Sequence, residues 1–232
     1  MSRTEAARYN WDIENPRGYA NAMGLYRTRK ERAFLQAHVT GHRLRILDVG
    51  GGSGRFAIPL AEQGHAVTVV DISPEAIWQL QRRTSSHIST YCADFLDHTF
   101  DTTFDVVVGM ESIQYFTSTT LVYLFEKVHR MLRPGGLFVF TELNNRSWRY
   151  ALHKVRSAIH YNVAAPAGYR RALQAAGFRL IDVKGFVWMP FSVASNSPLV
   201  RVFESVECSL GLDRWISQSP WLLIAAQRSR ED

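Results

Sequence analysis

The chain has 232 residues, 46% of them apolar and 21% charged, a balance that suits one generous globular domain and excludes disordered and collagen-like chains. The longest apolar runs stop within a strand's length, and residues 1–15 mix Arg3, Glu5, Arg8, Asp12 and Glu14, so neither a membrane span nor a secretory signal is expected. The net charge is +6, and two cysteines without metal-type spacing, Cys92 and Cys208, agree with a cytoplasmic, reducing compartment.

No internal repeat or low-complexity linker divides the chain, so it reads as a single domain with an N-terminal helical extension (1–40) and insertions at 143–165 and 189–219. The first strand is expected over 44–50, where Ile46, Leu47 and Val49 suit burial on both faces. A helix over 53–63 ends at Gly64. HAVTVVD (65–71) is β-branched and reads as a second strand, and Ser73-Pro74 supplies an N-cap and first turn for a helix to about Arg83. Further strands are expected at 87–92 and at 104–109 (FDVVVG). A helix follows over 119–132, then the Pro134-Gly135 turn and a fifth strand, GLFVFTE (136–142). A helix over 148–161, another over 167–176 closed by Gly177, a sixth strand over 178–188 and a last strand, WLLIAAQ (221–227), complete the chain. Strands alternating with helices imply an α/β, mostly parallel sheet covered on both faces. Ligands of such sheets bind beyond the carboxyl ends of the strands, here just after Gly50, Asp71, Cys92, Met110 and Glu142.

The sharpest local signal is the run Asp48 to Gly54. Its glycines let backbone approach a ligand closely, and the following helix offers unpaired N–H groups. The tail from Gly52 to Ala57 also fits a G-x-G-x-x-A dinucleotide fingerprint, which keeps a nicotinamide-dependent oxidoreductase in view. Asp71, at the end of the second strand, could take the two hydroxyls of an adenosine ribose under either reading. Asp48 separates them, because a carboxylate there suits a cationic amino group and would repel a pyrophosphate. Asp94 and Phe95, after the third strand, offer an acceptor for an exocyclic amine beside an aromatic ring.

Taken in order, ILDVGGGSG, VTVVDIS, ADFLD, FDVVVGMESIQYF and LRPGGLFVFTE resemble a class I S-adenosylmethionine-dependent methyltransferase. The resemblance implies a Rossmann-like, doubly wound seven-stranded sheet whose last strand is antiparallel, a place WLLIAAQ fits. It implies S-adenosyl-L-methionine as cofactor and S-adenosyl-L-homocysteine as product. By position, Asp48 and the turn of Gly50, Gly51 and Gly52 would flank the methionine part. Asp71 would hold the ribose hydroxyls, Ile72 would pack on the adenine, Asp94 and Phe95 would read its edge, and Met110 with Glu111 would lie beside the methionine. Each residue also has a purely structural use: Gly50 and Gly52 as a tight turn, Asp71 as an N-cap (a role Ser73 fills better), Asp94 as a cap for 95–97, Glu111 as a solvated loop residue.

Methyl transfer from a sulfonium needs alignment and exclusion of water more than a catalytic triad, and no triad or metal ligand set is legible. An alcohol acceptor would need a base, for which Glu142, His153 and His160 are the candidates. The two histidines are seven residues apart on one face of the 148–161 helix, where they equally suit surface packing.

The extension and the two insertions are expected to cap the acceptor. Tyr9, Trp11, Tyr19 and Tyr26 could lid the cofactor, and residues 186–191 with Trp215 and Trp221 could wall a pocket for a lipid-like or aromatic group, although core packing explains many of them. Residues 143–181 hold seven basic side chains (Arg146, Arg149, Lys154, Arg156, Arg170, Arg171, Arg179) and no Asp or Glu. Interleaved at 148–161 with Trp148, Tyr150, Leu152, Val155, Ile159 and Tyr161, these suit an anionic acceptor or peripheral contact with an anionic membrane, or simply a solvated face. Nucleic acid is disfavoured because no separate binding module is present. The acceptor expected is therefore a small molecule, glycan or lipid-linked intermediate, methylated at oxygen. The alternatives are an RNA or protein methyltransferase, or a non-catalytic adenosyl-ligand binding protein.

Overall fold

The computed structural model describes residues 14–15, 18–84, 88–116, 118–152 and 164–229. Apolar and β-branched runs build the middle of one sheet: β1 (Arg45–Val49) and β4 (Phe104–Gly109) are buried along almost their whole length, as expected of strands covered on both faces. With β2 (Ala66–Asp71), β3 (Ile88–Cys92), β5 (Leu132–Leu143), β6 (Phe178–Phe186) and β7 (Trp221–Arg228) they form a seven-stranded sheet in the order β3-β2-β1-β4-β5-β7-β6. The first five strands are parallel, and β7 runs antiparallel to both β5 and β6. The strand order reverses between β1 and β4, and register pairs Asp48 with both Val69 and Val108, which brings the carboxyl ends of β1, β2 and β4 level. A crevice at such a switch point is where this class of fold binds ligands.

Seven helices surround the sheet among the described residues: α1 (Ala22–His38), α2 (Ala57–Glu62), α3 (Pro74–Arg83), α4 (Ser118–Met131), α5 (Trp148–Leu152), α6 (Pro166–Ala175) and α7 (Leu199–Ser209). Alternation along the strands sorts the core into two layers. Ile46, Val106, Val139 and Leu223 pack with Met23, Tyr26 and Phe34 of α1 and Leu60 of α2. Leu47, Val107, Phe138, Phe140 and Ile224 face the other way, toward Leu124 and Phe125 of α4 and Leu173 of α6. Asn21 starts α1, its Oδ1 accepting from Gly24 N at 2.8 Å, and Ser73 starts α3, its Oγ accepting from Ala76 N at 3.3 Å.

Several boundaries differ from expectation for local reasons. The first crossover helix begins at Ala57 rather than 53, because the glycine turn occupies the chain to that point. The fifth strand begins at Leu132 rather than 136. Leu132 already pairs with Phe104, Arg133 is ion-paired with Asp105 at 2.5 Å, and a register shift absorbs the turn. The sixth strand stops at Phe186, not 188, since Val187 takes a left-handed conformation with φ 65°. Of the 148–161 helix, Trp148–Leu152 is helical. His153, Lys154, Val155, Arg156, Ile159, His160 and Tyr161 lie outside the described residues, as do Tyr9, Trp11 and His87. The 189–219 segment contains α7 and a 3-10 turn, Leu212–Arg214. Among the described residues no helix is long and apolar enough to cross a membrane.

Candidate cofactor and acceptor site

The glycine turn leaves β1 with three left-handed residues, Gly50, Gly52 and Gly54, at φ 67°, 56° and 96°. Side chains are excluded here by space as well as by conformation. A Cβ on Gly50 would sit 2.5 Å from Ser112 Cβ, and one on Gly51 would sit 2.7 Å from Asp48 Oδ2. Ser112 Oγ donates to Val49 O at 2.6 Å, tying the loop after β4 to the end of β1. Asp48 itself is 2% exposed, and its Oδ2 has no hydrogen-bond partner among the described residues. Burial raises its pKa to about 7. A carboxylate oxygen left unsatisfied beneath a bare glycine turn is a site for a donor that the chain does not itself supply.

Asp71 is not the N-cap of α3. Its Oδ2 accepts from Gly52 N at 2.9 Å and its Oδ1 from Ser73 N at 2.8 Å, so it pins the glycine turn to the end of β2. Each carboxylate oxygen has a second lone pair, so both can still accept from a neighbouring diol. Ile72 is half-buried beside it. Asp94 makes the turn its spacing suggested, Oδ1 accepting from Leu96 N at 2.9 Å while its carbonyl accepts from His98 N at 3.0 Å. The Phe95 ring goes into the α4-side core, with Lys127 Nζ 5.2 Å from its centroid.

On the other side of the switch point, Met110 is buried in the α1-side core. Glu111 is not a solvated loop residue. It is buried at φ 55°, its amide donates to Thr141 Oγ1, and its carboxylate pairs with Arg27 and, at 3.2 Å, with Arg55. Arg55 also pairs with Glu31 at 2.5 Å, and its guanidinium carbon lies 3.9 Å from the centroid of the Tyr19 ring. Burial pushes the pKa of the Glu31 carboxyl upward, against the pull of the Arg55 charge. This cluster of two arginines and two glutamates locks α1 onto the loops after β1 and β4. Its α1 members were overlooked in sequence, although Arg27 and Glu31 continue the four-residue spacing from Met23 on the buried face of α1.

Glu142, near the end of β5, is fully buried. Its Oε2 accepts from Tyr169 OH at 3.0 Å, while Oε1 has no hydrogen-bond partner among the described residues. Burial pushes its pKa up to about 8. Gln114 Oε1, in the 3-10 turn after β4, is likewise buried without a partner among the described residues. Long-range bonds hold the segments around this end. Asn144 Nδ2 donates to Ser219 O at 2.9 Å, Arg149 Nη2 donates to Phe191 O at 2.8 Å, and Glu207 accepts from Tyr26 OH and Trp188 N. Of the apolar wall expected at 186–191, Phe186, Val187 and Met189 are core residues together with Trp221, whereas Trp215 is 63% exposed.

The sheet order, the reversal between β1 and β4 and the bare turn over Asp48 define a Rossmann-like α/β domain with a crevice at its switch point. Residues 46–136 match the family model described as a methyltransferase domain. The ubiquinone biosynthesis O-methyltransferase of Xanthomonas axonopodis pv. citri is 25% identical over 197 residues, spanning 78% of this chain and 80% of that protein. The malonyl-[acyl-carrier protein] O-methyltransferase of Geobacter sulfurreducens is 31% identical over 158 residues, 60% of this chain and 57% of its own. Among solved structures, the N-methyltransferase NodS of Bradyrhizobium japonicum in complex with S-adenosyl-L-homocysteine superposes with a TM-score of 0.68 at 20% identity over 100% of both chains. The methyltransferase-domain match and these likenesses support a class I S-adenosylmethionine-dependent methyltransferase.

Proposed function

We propose that the chain transfers a methyl group from S-adenosylmethionine to an oxygen of a small-molecule, glycan or lipid-linked acceptor held over the ends of β4 and β5. The observation that carries this reading is Glu142, a buried carboxyl with one unpartnered oxygen at the end of β5. The turn fits the cofactor: Asp48 Oδ2 lacks a donor, and Gly51 has no room for a side chain above it. In this reading Asp48, Gly50, Gly51 and Gly52 take the methionine end and Asp71 the ribose hydroxyls. Ile72 covers the adenine, Asp94 and the backbone around Phe95 meet its edge, and Met110 and Glu111 border the methionine. When bound, the cofactor supplies a methyl group already activated on a sulfonium. The chain then has to orient the acceptor, exclude water and, for a hydroxyl, receive a proton.

Glu142 Oε1 is the proton acceptor, and Tyr169 OH orients the carboxylate through Oε2. With its pKa near 8, Glu142 becomes competent as a base as pH rises toward that value. The described parts of 1–40, 143–165 and 189–219 form the acceptor cap, a role supported by the Arg149, Asn144 and Glu207 bonds that join these segments to one another. The likeness to two O-methyltransferases favours oxygen. The likeness to NodS, an N-methyltransferase, keeps an amine acceptor as the second reading, for which no base is required.

The test is calorimetric titration with S-adenosylhomocysteine, with NADH as control, followed by labelled methyl transfer to catechols and phosphorylated sugars. Binding of the adenosyl ligand without NADH is expected. Glu142→Gln is expected to lower transfer to a hydroxyl by about 100-fold while leaving S-adenosylhomocysteine affinity unchanged. Full activity in Glu142→Gln would overturn the base and favour the amine acceptor.

A further inference from the structure

The α7 helix presents its faces the wrong way round for a surface helix. Leu199, Val202, Val206 and Leu210 recur at helical spacing on one stripe, and they are 53%, 57%, 45% and 64% exposed. Trp215, at the end of the 3-10 turn that follows, stands out of the core as well. Inward, Val200 reaches the core and the Phe203 ring meets that of Phe191 at 5.3 Å, but the remaining ties are polar. Glu207 is buried against Tyr26 OH and Trp188 N, and Glu204 pairs with Arg29 of α1. A helix held by its carboxylates, with its aliphatic side chains in water, leaves its apolar stripe for something else to cover.

Charge around the stripe is unbalanced. The acidic side chains of α7 and the turn are already taken, Glu204 by Arg29, Glu207 by Tyr26 and Trp188, and Asp213 by Lys184 at 3.0 Å. Arg201 and Arg214 are exposed, and Lys30 Nζ lies 3.1 Å from Cys208 Sγ on α7. None of these three cations forms a salt bridge with a described carboxylate. Aliphatic side chains with a tryptophan at one end and spare cations at the border compose a helix that lies in the headgroup boundary of an anionic bilayer. A second copy fits worse. A two-fold axis through the stripe would set these cations near their own images, with no free acidic group on the patch to answer them.

The basic stretch at 143–181 is a different surface. Arg170 and Arg171 are exposed on α6, whose Leu173 packs into the α4-side layer, whereas Val200 of α7 packs into the α1-side layer, on the opposite face of the sheet. We infer that α7 and the turn after it rest on an anionic lipid surface, with Leu199, Val202, Val206 and Leu210 at the acyl boundary and Lys30, Arg201 and Arg214 at the headgroups. This contact does not depend on the methyl-transfer reading. It sets the 189–191 segment, joined to α7 through the Phe191 and Phe203 rings, beside the bilayer.

The whole chain is tested by co-sedimentation with vesicles of phosphatidylcholine alone and of phosphatidylcholine mixed with phosphatidylglycerol. Binding to the mixed vesicles is expected to be about tenfold tighter than to the neutral ones. Val206→Glu with Leu210→Glu, at exposed positions, should abolish it. Arg201→Gln with Arg214→Gln should reduce it to the neutral level, and Arg170→Gln with Arg171→Gln should leave it unchanged. A second readout needs no change within α7: mixed vesicles with brominated acyl chains should quench the wild-type fluorescence, and Trp215→Phe should lose much of that quenching. No binding to mixed vesicles overturns the inference, as does equal quenching of wild type and Trp215→Phe. Loss of binding in the Arg170 and Arg171 variant moves the contact to α6 and overturns it too. Binding that survives Val206→Glu with Leu210→Glu but not the Arg201 and Arg214 changes would make the patch a surface for soluble anions. A wild-type dimer by light scattering that the two glutamates dissociate would assign the stripe to a second copy, and either result sinks the lipid contact.

Discussion

The two halves of the crevice are built by different means. Over β1 to β3 the two aspartates are held by neighbours a few residues away or by the adjacent strand: Asp71 takes Ser73 N and Gly52 N, and Asp94 takes Leu96 N. Over β4, β5 and β7 the polar groups are held by partners far along the chain, such as Arg27 with Glu111, Tyr26 with Glu207 and Arg149 with Phe191. The half over β1 to β3 depends on backbone shape. The half over β4, β5 and β7 depends on buried charge, which is stable only while every partner is present.

The largest effect should therefore come from breaking the charge cluster. Glu31→Ala leaves Arg55 buried with Glu111 as its remaining carboxylate, and should cost about 3 kcal/mol of folding stability by urea denaturation, within the range for a broken buried pair. A loss below about 1 kcal/mol would mean that α1 is held by its apolar face alone. At the end of β1, Asp48→Ala removes a carboxylate whose unmet oxygen lies under the glycine turn. It should weaken S-adenosylhomocysteine binding by about 2 kcal/mol, near 30-fold, with Asp71→Ala losing about 1–3 kcal/mol. Calorimetry reads both, and unchanged affinity would remove either residue from the cofactor site.

The same contrast explains what the sequence could reveal. Phe104–Gly109 matches its expected strand, and the Ser73-Pro74 cap is where the spacing put it, because strand and cap preferences are local. The roles of Arg27, Glu31 and Arg55 were not legible. Nothing local distinguishes a buried arginine from a solvated one, and their partners lie from 24 to 84 residues away. Glu111 was ambiguous for the same reason, its burial arising from α1 and not from its own loop. Glu142 was legible as a position at a strand end, but its protonation depends on Tyr169 and on packing from α6.

That protonation gives a pH test of the half over β4, β5 and β7. Glu142 has a folded pKa of about 8 against an ordinary value of 4.5. Below 4.5 it is neutral in both states. Between 4.5 and 8 the unfolded chain loses the proton while the folded chain keeps it, so this group's contribution to stability falls as pH rises, by up to about 1.4 kcal/mol per pH unit. Glu142→Gln removes the titration. Denaturation curves at pH 5, 6, 7 and 8 should show the variant gaining on the wild type across the series, and parallel curves would mean that Glu142 is already ionised in the folded protein.

The smallest effect separates two uses of one carboxylate. Asp94 holds Leu96 N through Oδ1, a bond an asparagine oxygen can also accept, so Asp94→Asn should leave stability within about 0.5 kcal/mol. An amide that spends its oxygen on that turn has only N–H groups to offer outward, and these cannot accept from an exocyclic amine. If Asp94 meets the adenine edge, Asp94→Asn should lose about 1 kcal/mol, near fivefold, in S-adenosylhomocysteine affinity. If the turn is its whole purpose, the affinity will not move, and recognition of the base at the end of β3 must come from backbone alone.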